Sequence, residues 1–189
     1  MKAYTPAELR RFLNAVDRAL EAPSEVVIIG GAAAAIAYGV ASGTRDIDTW
    51  TRVRSELAAA ADRARAATGL AIPLAQSGVA DAPHDFESRL ERILPRLKRL
   101  RASVPERHDL VLMKVLRCDE HDLQAIEEIH RRSPLDPSVL VTRYQQEMDS
   151  AIIEPRRLRS QFLVAIERLF PDQADAIERR LRVPSSRRG

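Results

Sequence analysis

The chain has 189 residues and a mass of 21.1 kDa, room for one domain of ordinary size, or one domain with a small appendage. It is 45% hydrophobic and 30% charged, which excludes wholesale disorder, and with aromatics at 4% the core must be built mainly from Ala, Leu, Ile and Val. Lys+Arg 30 against Asp+Glu 27 gives a formal charge of +3, too near balance to argue for nucleic-acid binding by itself. The single cysteine, Cys118, excludes an internal disulfide and any multi-thiolate zinc site. The longest apolar stretch, Val26 to Val40, is broken by Gly30, Gly31 and Gly39 and is too short to span a bilayer. The opening MKAYTPAELRR has no apolar core of a signal peptide, so a reduced, soluble, cytoplasmic protein with no membrane association is expected.

Thr5-Pro6 followed by Glu8 has the form of a helix start, and Leu9, Phe12, Leu13, Val16 and Leu20 recur at helical spacing, which predicts an amphipathic helix over 6–21 ended by Pro23. Val26 to Ile29 is a β-branched run stopped by Gly30-Gly31, the signature of a buried strand. A helix should begin straight after the glycines, at Ala32, and close at Gly39 to Gly43 before a second strand near Asp46 to Thr51. Ser55 to Thr68 reads as a helix stopped by Gly69, Leu70 to Pro73 or slightly beyond as a short strand, and 76–86 as loop. Phe86 to Val104 reads as a strand pair with Leu90, Ile93, Leu97 and Leu100 as core positions, two short helical pieces being the alternative. Helices follow over His108–Arg117, Asp122–Arg132, Asp136-Pro137 to Glu147, and Arg156–Arg182 with a division near Pro171. The order predicts an α/β (α+β) fold with a small mixed sheet flanked by helices: a head over 1–132, a helical C-terminal extension over 133–183 and a disordered tail over 184–189.

The informative segment is IIGGAAAAIAYGVASGTRDIDTW. Asp46 and Asp48 stand two apart on a predicted strand, so both side chains leave one face. Neighbouring carboxylates repel unless a cation sits between them, and hard oxygen ligands with open positions are what Mg²⁺ prefers. Upstream, Gly30-Gly31 forms a strand-to-helix turn where a ligand can approach the backbone and where the positive end of a helix dipole points. Either feature alone is commonplace: a lone Asp-X-Asp is usually a solvated strand end. Together, separated by one helix, they suit a nucleoside triphosphate with its Mg²⁺.

This segment resembles the nucleotidyltransferase superfamily, whose pattern is an apolar strand, Gly-Gly or Gly-Ser, a helix, then Asp-X-Asp. It is most similar to the bacterial AbiEii-like and related uncharacterised nucleotidyltransferase-like proteins, with Thr44, Arg45, Asp46, Ile47 and Asp48 in their Thr-X-Asp-Ile-Asp stretch. A second segment, HDLVLMKVLRCDEHDLQAIEEI, resembles their downstream motif, with Lys114 and Asp122 in the motif positions and Arg117 between them. The resemblance covers roughly residues 24–148. It implies transfer of a nucleoside monophosphate from an NTP to an RNA, protein or small-molecule acceptor, in a toxin-like or defence component that an antitoxin-like partner could control. Asp46 and Asp48 would hold Mg²⁺ or Mn²⁺; Gly30, Gly31, Thr44 and Arg45 would line the nucleotide site; Lys114 would contact phosphate; and Asp122 would orient the acceptor hydroxyl or act as a base.

The sequence also departs from that pattern. Ser42 and Gly43 replace an Arg that many relatives carry, and no third catalytic carboxylate is evident, Asp81, Asp85 and Glu87 being candidates by position only. A fold retained as a binding or scaffold protein without catalysis is therefore the rival expectation. Lys114 is one of three lysines in an Arg-dominated chain. His84, His108, His121 and His130 lack metal-ligand spacing, Cys118 lacks the partners of a nucleophile, and Trp50 suits core filling better than stacking on a base. Basic stretches at Arg89 to Arg107 and in the C-terminal region read as solvated faces; converging near the Asp pair, they would suit a polyanionic acceptor. The amphipathic pattern from Leu158 through Leu169 permits a surface for self-association or a partner.

Overall fold

The computed structural model describes residues 2–78, 81–149 and 151–182, with side chains to Leu181. The expected tail over 184–189, with Arg187 and Arg188, lies outside them.

Helix α1 (Pro6–Ala19) starts as its capping pattern predicts: the Thr5 hydroxyl accepts the Glu8 N–H, and Glu8 Oε2 accepts the Thr5 N–H at 2.9 Å. Its apolar face buries Leu9, Phe12, Leu13 and Val16. At its end, Asp17 Oδ1 accepts the N–H groups of Arg99 and Leu100, each at 2.7 Å. That ties α1 to strand β5 (Leu100–Val104).

Among the described residues, five short strands form a three-stranded sheet and a two-stranded sheet. β1 (Ser24–Val27) pairs parallel with β5, which pairs antiparallel with β4 (Glu91–Ile93). β2 (Ile47–Thr49) pairs parallel with β3 (Leu74–Gln76). The two pieces join where Ile28 bridges Thr49: the Ile29 N–H donates to Asp48 O and the Trp50 N–H to Val27 O, each at 2.9 Å. The seam sets Asp48 beside the chain leaving β1, where the glycines follow. Helix α2 (Gly30–Tyr38) begins at those glycines, two residues earlier than the sequence predicts, and is almost wholly buried from Ala32 to Ile36. An alanine-rich segment allows that depth because small side chains let helix and sheet approach closely.

The strand pair expected between Phe86 and Val104 is present as β4 and β5. The strand expected to start at Leu70 starts at Leu74 instead. Leu70 and Ile72 are buried in the core, but backbone pairing with β2 begins only where the Ile47 N–H donates to Pro73 O at 2.8 Å. Helix α3 (Ser55–Thr68) matches its expected span and packs on α1.

Five helices complete the described chain: α4 (Arg107–Val115), α5 (Glu120–Arg132), α6 (Pro137–Glu147), α7 (Pro155–Leu169) and, past a short turn at Pro171–Gln173, α8 (Ala174–Arg182). α4 packs against α2, α5, α6 and α7, so one apolar cluster runs from Tyr4 to Ile177. The α7 face carrying Leu158, Phe162, Ile166 and Leu169 is buried, and the Phe162 ring stacks on Tyr144 at 4.1 Å. The face that could have met a partner is occupied by the protein's own core. Among the described residues, no helix is long and apolar enough to cross a membrane.

Ionic contacts fasten the turn ahead of β4 to α4 and α6. Fully buried Asp109 receives Arg89 Nε at 2.9 Å and Arg143 at 2.9 Å; Arg89 also bonds Glu147 at 2.6 Å, and Arg143 bonds Glu106 at 2.6 Å. Arg89 therefore does not belong to a basic face short of acids, as its sequence context implies. Acids distant in sequence have been folded onto it.

Candidate active site

The turn from β1 into α2 has the conformation its glycines permit. Gly30 has φ +65°, and a Cβ there would stand 3.5 Å from Asp48 Oδ2. A Cβ on Gly31 would lie 2.8 Å from Thr44 Oγ1 and 3.1 Å from Thr44 Cβ, closer than side chains pack. The glycines thus let the start of α2 nest against the segment carrying the acids. Ile29, at the N-cap, gives the helix no side-chain cap, so its first N–H groups and the positive end of its dipole face the same turn.

Thr44 is held by paired backbone hydrogen bonds with Tyr4, at 2.7 and 3.2 Å, and its hydroxyl lies 3.3 Å from Asp46 O and 3.4 Å from Asp46 Oδ1. Asp46 and Asp48 both face a charged cavity of about 580 Å³ that also meets Gly31, Thr44, Arg45, Lys114, Arg117 and His121. A second cavity, of about 370 Å³, lies on the other side of Asp48, Lys114 and Arg117, which line both. Gly30 opens onto this second space, whose remaining walls are largely apolar. Burial, reinforced by the neighbouring Asp46 charge, pushes the Asp48 carboxyl above its ordinary range; Arg117 opposes this.

Lys114 and Asp122 meet across the junction of α4 and α5. Lys114 Nζ lies 2.9 Å from Asp122 Oδ1, and Arg117 closes on the same carboxylate, Nη2 to Oδ1 at 2.9 Å and Nε to Oδ2 at 3.0 Å. Burial would raise the Asp122 pKa, but the Arg117 hydrogen bonds and the Lys114 charge outweigh it and hold the group below the usual carboxylate range. Asp122 is 1% exposed and lines neither cavity. A carboxylate so placed is a poor proton acceptor for a substrate; what it does is aim two cations.

The structure therefore brings together Gly30, Gly31, Thr44, Arg45, Asp46, Asp48 and Lys114, with Asp122 behind Lys114. Among the later strands β3, β4 and β5, the lone acid is Glu91, and its Oε2 accepts the Tyr38 hydroxyl at 3.1 Å. Among the described residues no cluster of three or more His, Cys, Asp and Glu side chains is placed to share a metal ion. Asp81 reaches the 370 Å³ cavity, where its Oδ2 accepts the Ile152 N–H at 2.9 Å; Glu87 instead accepts Trp50 Nε1–H at 2.8 Å, and Asp85 is exposed. Trp50 packs edge-on to Phe86, away from both cavities. Cys118 and His130 are occupied structurally: Cys118 Sγ lies 3.6 Å from Gln161 O, and His130 Nδ1 accepts the Leu135 N–H. Buried His108 accepts the Asp136 N–H at Nε2 and bonds Glu106 through Nδ1.

Sequence reasoning missed Arg117 as a member of the site, together with Ser77, Ile152, Ile153 and Arg157 around the second cavity; Asp81, a candidate by position only, does reach that cavity. Arg117 had a signal, lying in the segment that carries Lys114 and Asp122. The others come from segments with no motif and are assembled by the fold alone.

No curated protein and no solved structure gives a significant match to the chain. A family described as a nucleotidyltransferase of unknown function (DUF6036) matches residues 7–170, from the first turn of α1 to the end of α7, so the match includes both glycines, both acids and the Lys114–Asp122 pair. It supports the nucleotidyltransferase superfamily and does not single out an AbiEii-like branch. With most of its length covered, the chain belongs to this nucleotidyltransferase family.

Proposed function

We propose that the protein is a Mg²⁺-dependent nucleotidyltransferase, with Mn²⁺ as an alternative ion, that moves a nucleoside monophosphate from an NTP to an acceptor hydroxyl on RNA, protein or a small molecule. The observation that carries this reading is the shared wall: Asp48 stands with Lys114 and Arg117 between two cavities, and an uncapped helix start lies next to it. The donor set fits the ion. Mg²⁺ is commonly held by one or two carboxylates plus substrate phosphates and water, so Asp46 and Asp48 suffice without a third acid. When bound, the ion would neutralise charge on the phosphates and orient them.

The chain's own groups supply the rest. The N–H groups at the start of α2 would receive phosphate oxygens, and Gly30 and Gly31 let that helix start pack against Asp48 and Thr44. Lys114 would add a point charge and Arg117 a planar fork, both held by Asp122. In the reaction, the acceptor oxygen bonds to the α-phosphorus, the bond from that phosphorus to the α–β bridging oxygen breaks, pyrophosphate leaves, and the acceptor's proton passes to solvent. Asp122 is assigned positioning rather than base duty because its lone pairs are committed to cations.

Incubation with Mg²⁺, labelled NTPs and total RNA or protein extract should give label transfer that Asp48→Ala abolishes. No transfer with any NTP would refute catalysis. That no third acid joins Asp46 and Asp48 among the described residues favours one rival, a scaffold that keeps the fold without the reaction. Calorimetry separates them: an enzyme site should bind NTP only with divalent metal, whereas NTP binding indifferent to Asp46→Asn would favour the scaffold.

A further inference from the structure

Resting on the nucleotidyltransferase reading, we infer that the 370 Å³ cavity is the nucleoside pocket, taking the base of the NTP, while the charged cavity beyond Asp48 admits the acceptor. A nucleoside triphosphate is a chemically lopsided ligand, with a flat, weakly hydrated heterocycle at one end and several negative charges at the other. The cavity is lopsided in the same sense. Gly30, Asp48, Lys114 and Arg117 stand on its phosphate side; Ile29, Leu110, Met113, Leu116, Ile152 and Ile153 form most of its other walls, with Ser77, Asp81 and Arg157 adding polar groups among them. Its volume lies near the lower end of the about 300–1,000 Å³ typical of small-molecule pockets, which suits one nucleoside better than an oligonucleotide.

The other cavity has the opposite character. Thr44, Arg45, Asp46 and His121 leave it with few apolar walls, so it offers a heterocycle little to stack on. Because Asp48, Lys114 and Arg117 belong to both spaces, a triphosphate extending from a base in the apolar pocket would reach the acids where an acceptor from the charged side could meet it. Ile152 and Ile153, just ahead of α7, complete the base side. Ile152, an apolar residue 80% exposed, is held at the rim by its N–H bond to Asp81.

The test compares ligands with and without a base, using Mg²⁺ and calorimetry. On the wild-type protein, a non-hydrolysable NTP should bind at least about ten-fold more tightly than tripolyphosphate or ribose 5-triphosphate, which lack the heterocycle. The Ile152→Gln/Ile153→Gln variant should lose about ten-fold in NTP affinity and keep its tripolyphosphate affinity, which also shows that the variant is folded. Equal wild-type affinity for NTP and ribose 5-triphosphate would overturn the inference even if the double variant failed to fold. So would an unchanged NTP affinity in that variant. Failure of the underlying reading looks different: neither NTP nor tripolyphosphate would bind with Mg²⁺, or binding would ignore Asp48→Ala.

Discussion

Lys114 Nζ lies 2.9 Å from Asp122 Oδ1 with only 2% and 1% of the two side chains exposed, so the pair behind the candidate site is nearly dry. Truncating one partner of a buried ion pair leaves the other uncompensated, which costs about 3–5 kcal/mol, whereas removing both is far milder. Asp122→Ala should therefore destabilise the protein by about that much, with Lys114→Met/Asp122→Ala recovering most of the loss in urea denaturation. The carboxyl is held below its usual range in the folded protein, so its stabilising effect is present above the unfolded-state pKa and is lost as pH falls through the folded-state value. Activity separates positioning from mere support. Asp122→Asn, if folded, should weaken Mg²⁺-NTP binding and leave the pH profile of transfer without a lost base limb.

The second electrostatic prediction concerns Glu106, beneath α6. Burial tends to raise its pKa, but hydrogen bonds from His108 and Arg143 prevail and bring it from 4.5 to about 2. A depressed folded-state value means stability that is complete above pH ~5 and lost progressively as the medium is acidified toward pH ~2. The carboxylate is 16% exposed, so this linkage is on the order of 3 kcal/mol. Urea denaturation at pH 6 and pH 3 should show a large loss of stability in the wild type and a visibly smaller one in Glu106→Gln. Equal losses would place the acid-sensitive group elsewhere.

Much of the fold is legible in the sequence because its signals are local. Thr5 and Glu8 announce α1, Asp136-Pro137 announces α6, and Pro171 breaks the last helices where expected. The displaced β3 shows the limit: Leu70 and Ile72 advertise burial, but a strand also needs a partner, and β2 offers one only from Leu74. The site divides in the same way. Gly30, Gly31, Asp46 and Asp48 are readable because one helix separates them; the strand expected from Asp46 to Thr51 spans only Ile47–Thr49, so Asp46 reaches the shared cavity from the bend before β2 and not through the strand's two-residue period. Asp81, Ile152 and Arg157 reach the pocket only through tertiary folding, and the ion pairs of Arg89 with Asp109 and Glu147 span gaps that no local pattern records.

The two glycines should fail for different reasons. Alanine at Gly30 must adopt φ +65°, at a cost of about 1–2 kcal/mol, yet its methyl would only touch Asp48 Oδ2 at ordinary distance. Alanine at Gly31 has no such backbone penalty but drives a methyl to 2.8 Å from Thr44 Oγ1. Gly30→Ala should therefore show mainly in thermal stability. Gly31→Ala should displace Thr44 and with it Asp46, weakening Mg²⁺-dependent nucleotide binding; Gly31→Ala/Thr44→Ala removes the clashing hydroxyl and leaves only the Cβ contact at 3.1 Å, so it should recover part of the binding. Loss of binding equal in both glycine variants would argue against the steric account.

Removing everything after residue 150 tests whether the C-terminal helices are an appendage. α7 contributes Leu158, Phe162, Ala165 and Ile166 to the same apolar cluster that holds α4 and α5, and the family match also runs to residue 170. Each large buried side chain lost from such a core costs about 2–5 kcal/mol, and total domain stability is only about 5–15 kcal/mol. A chain ending at residue 150 should consequently lose cooperative thermal unfolding and expose Leu123, Ile126 and Tyr144 to water, read as increased dye binding. A soluble, cooperatively unfolding fragment would show instead that the sheet and the first six helices form a self-sufficient unit.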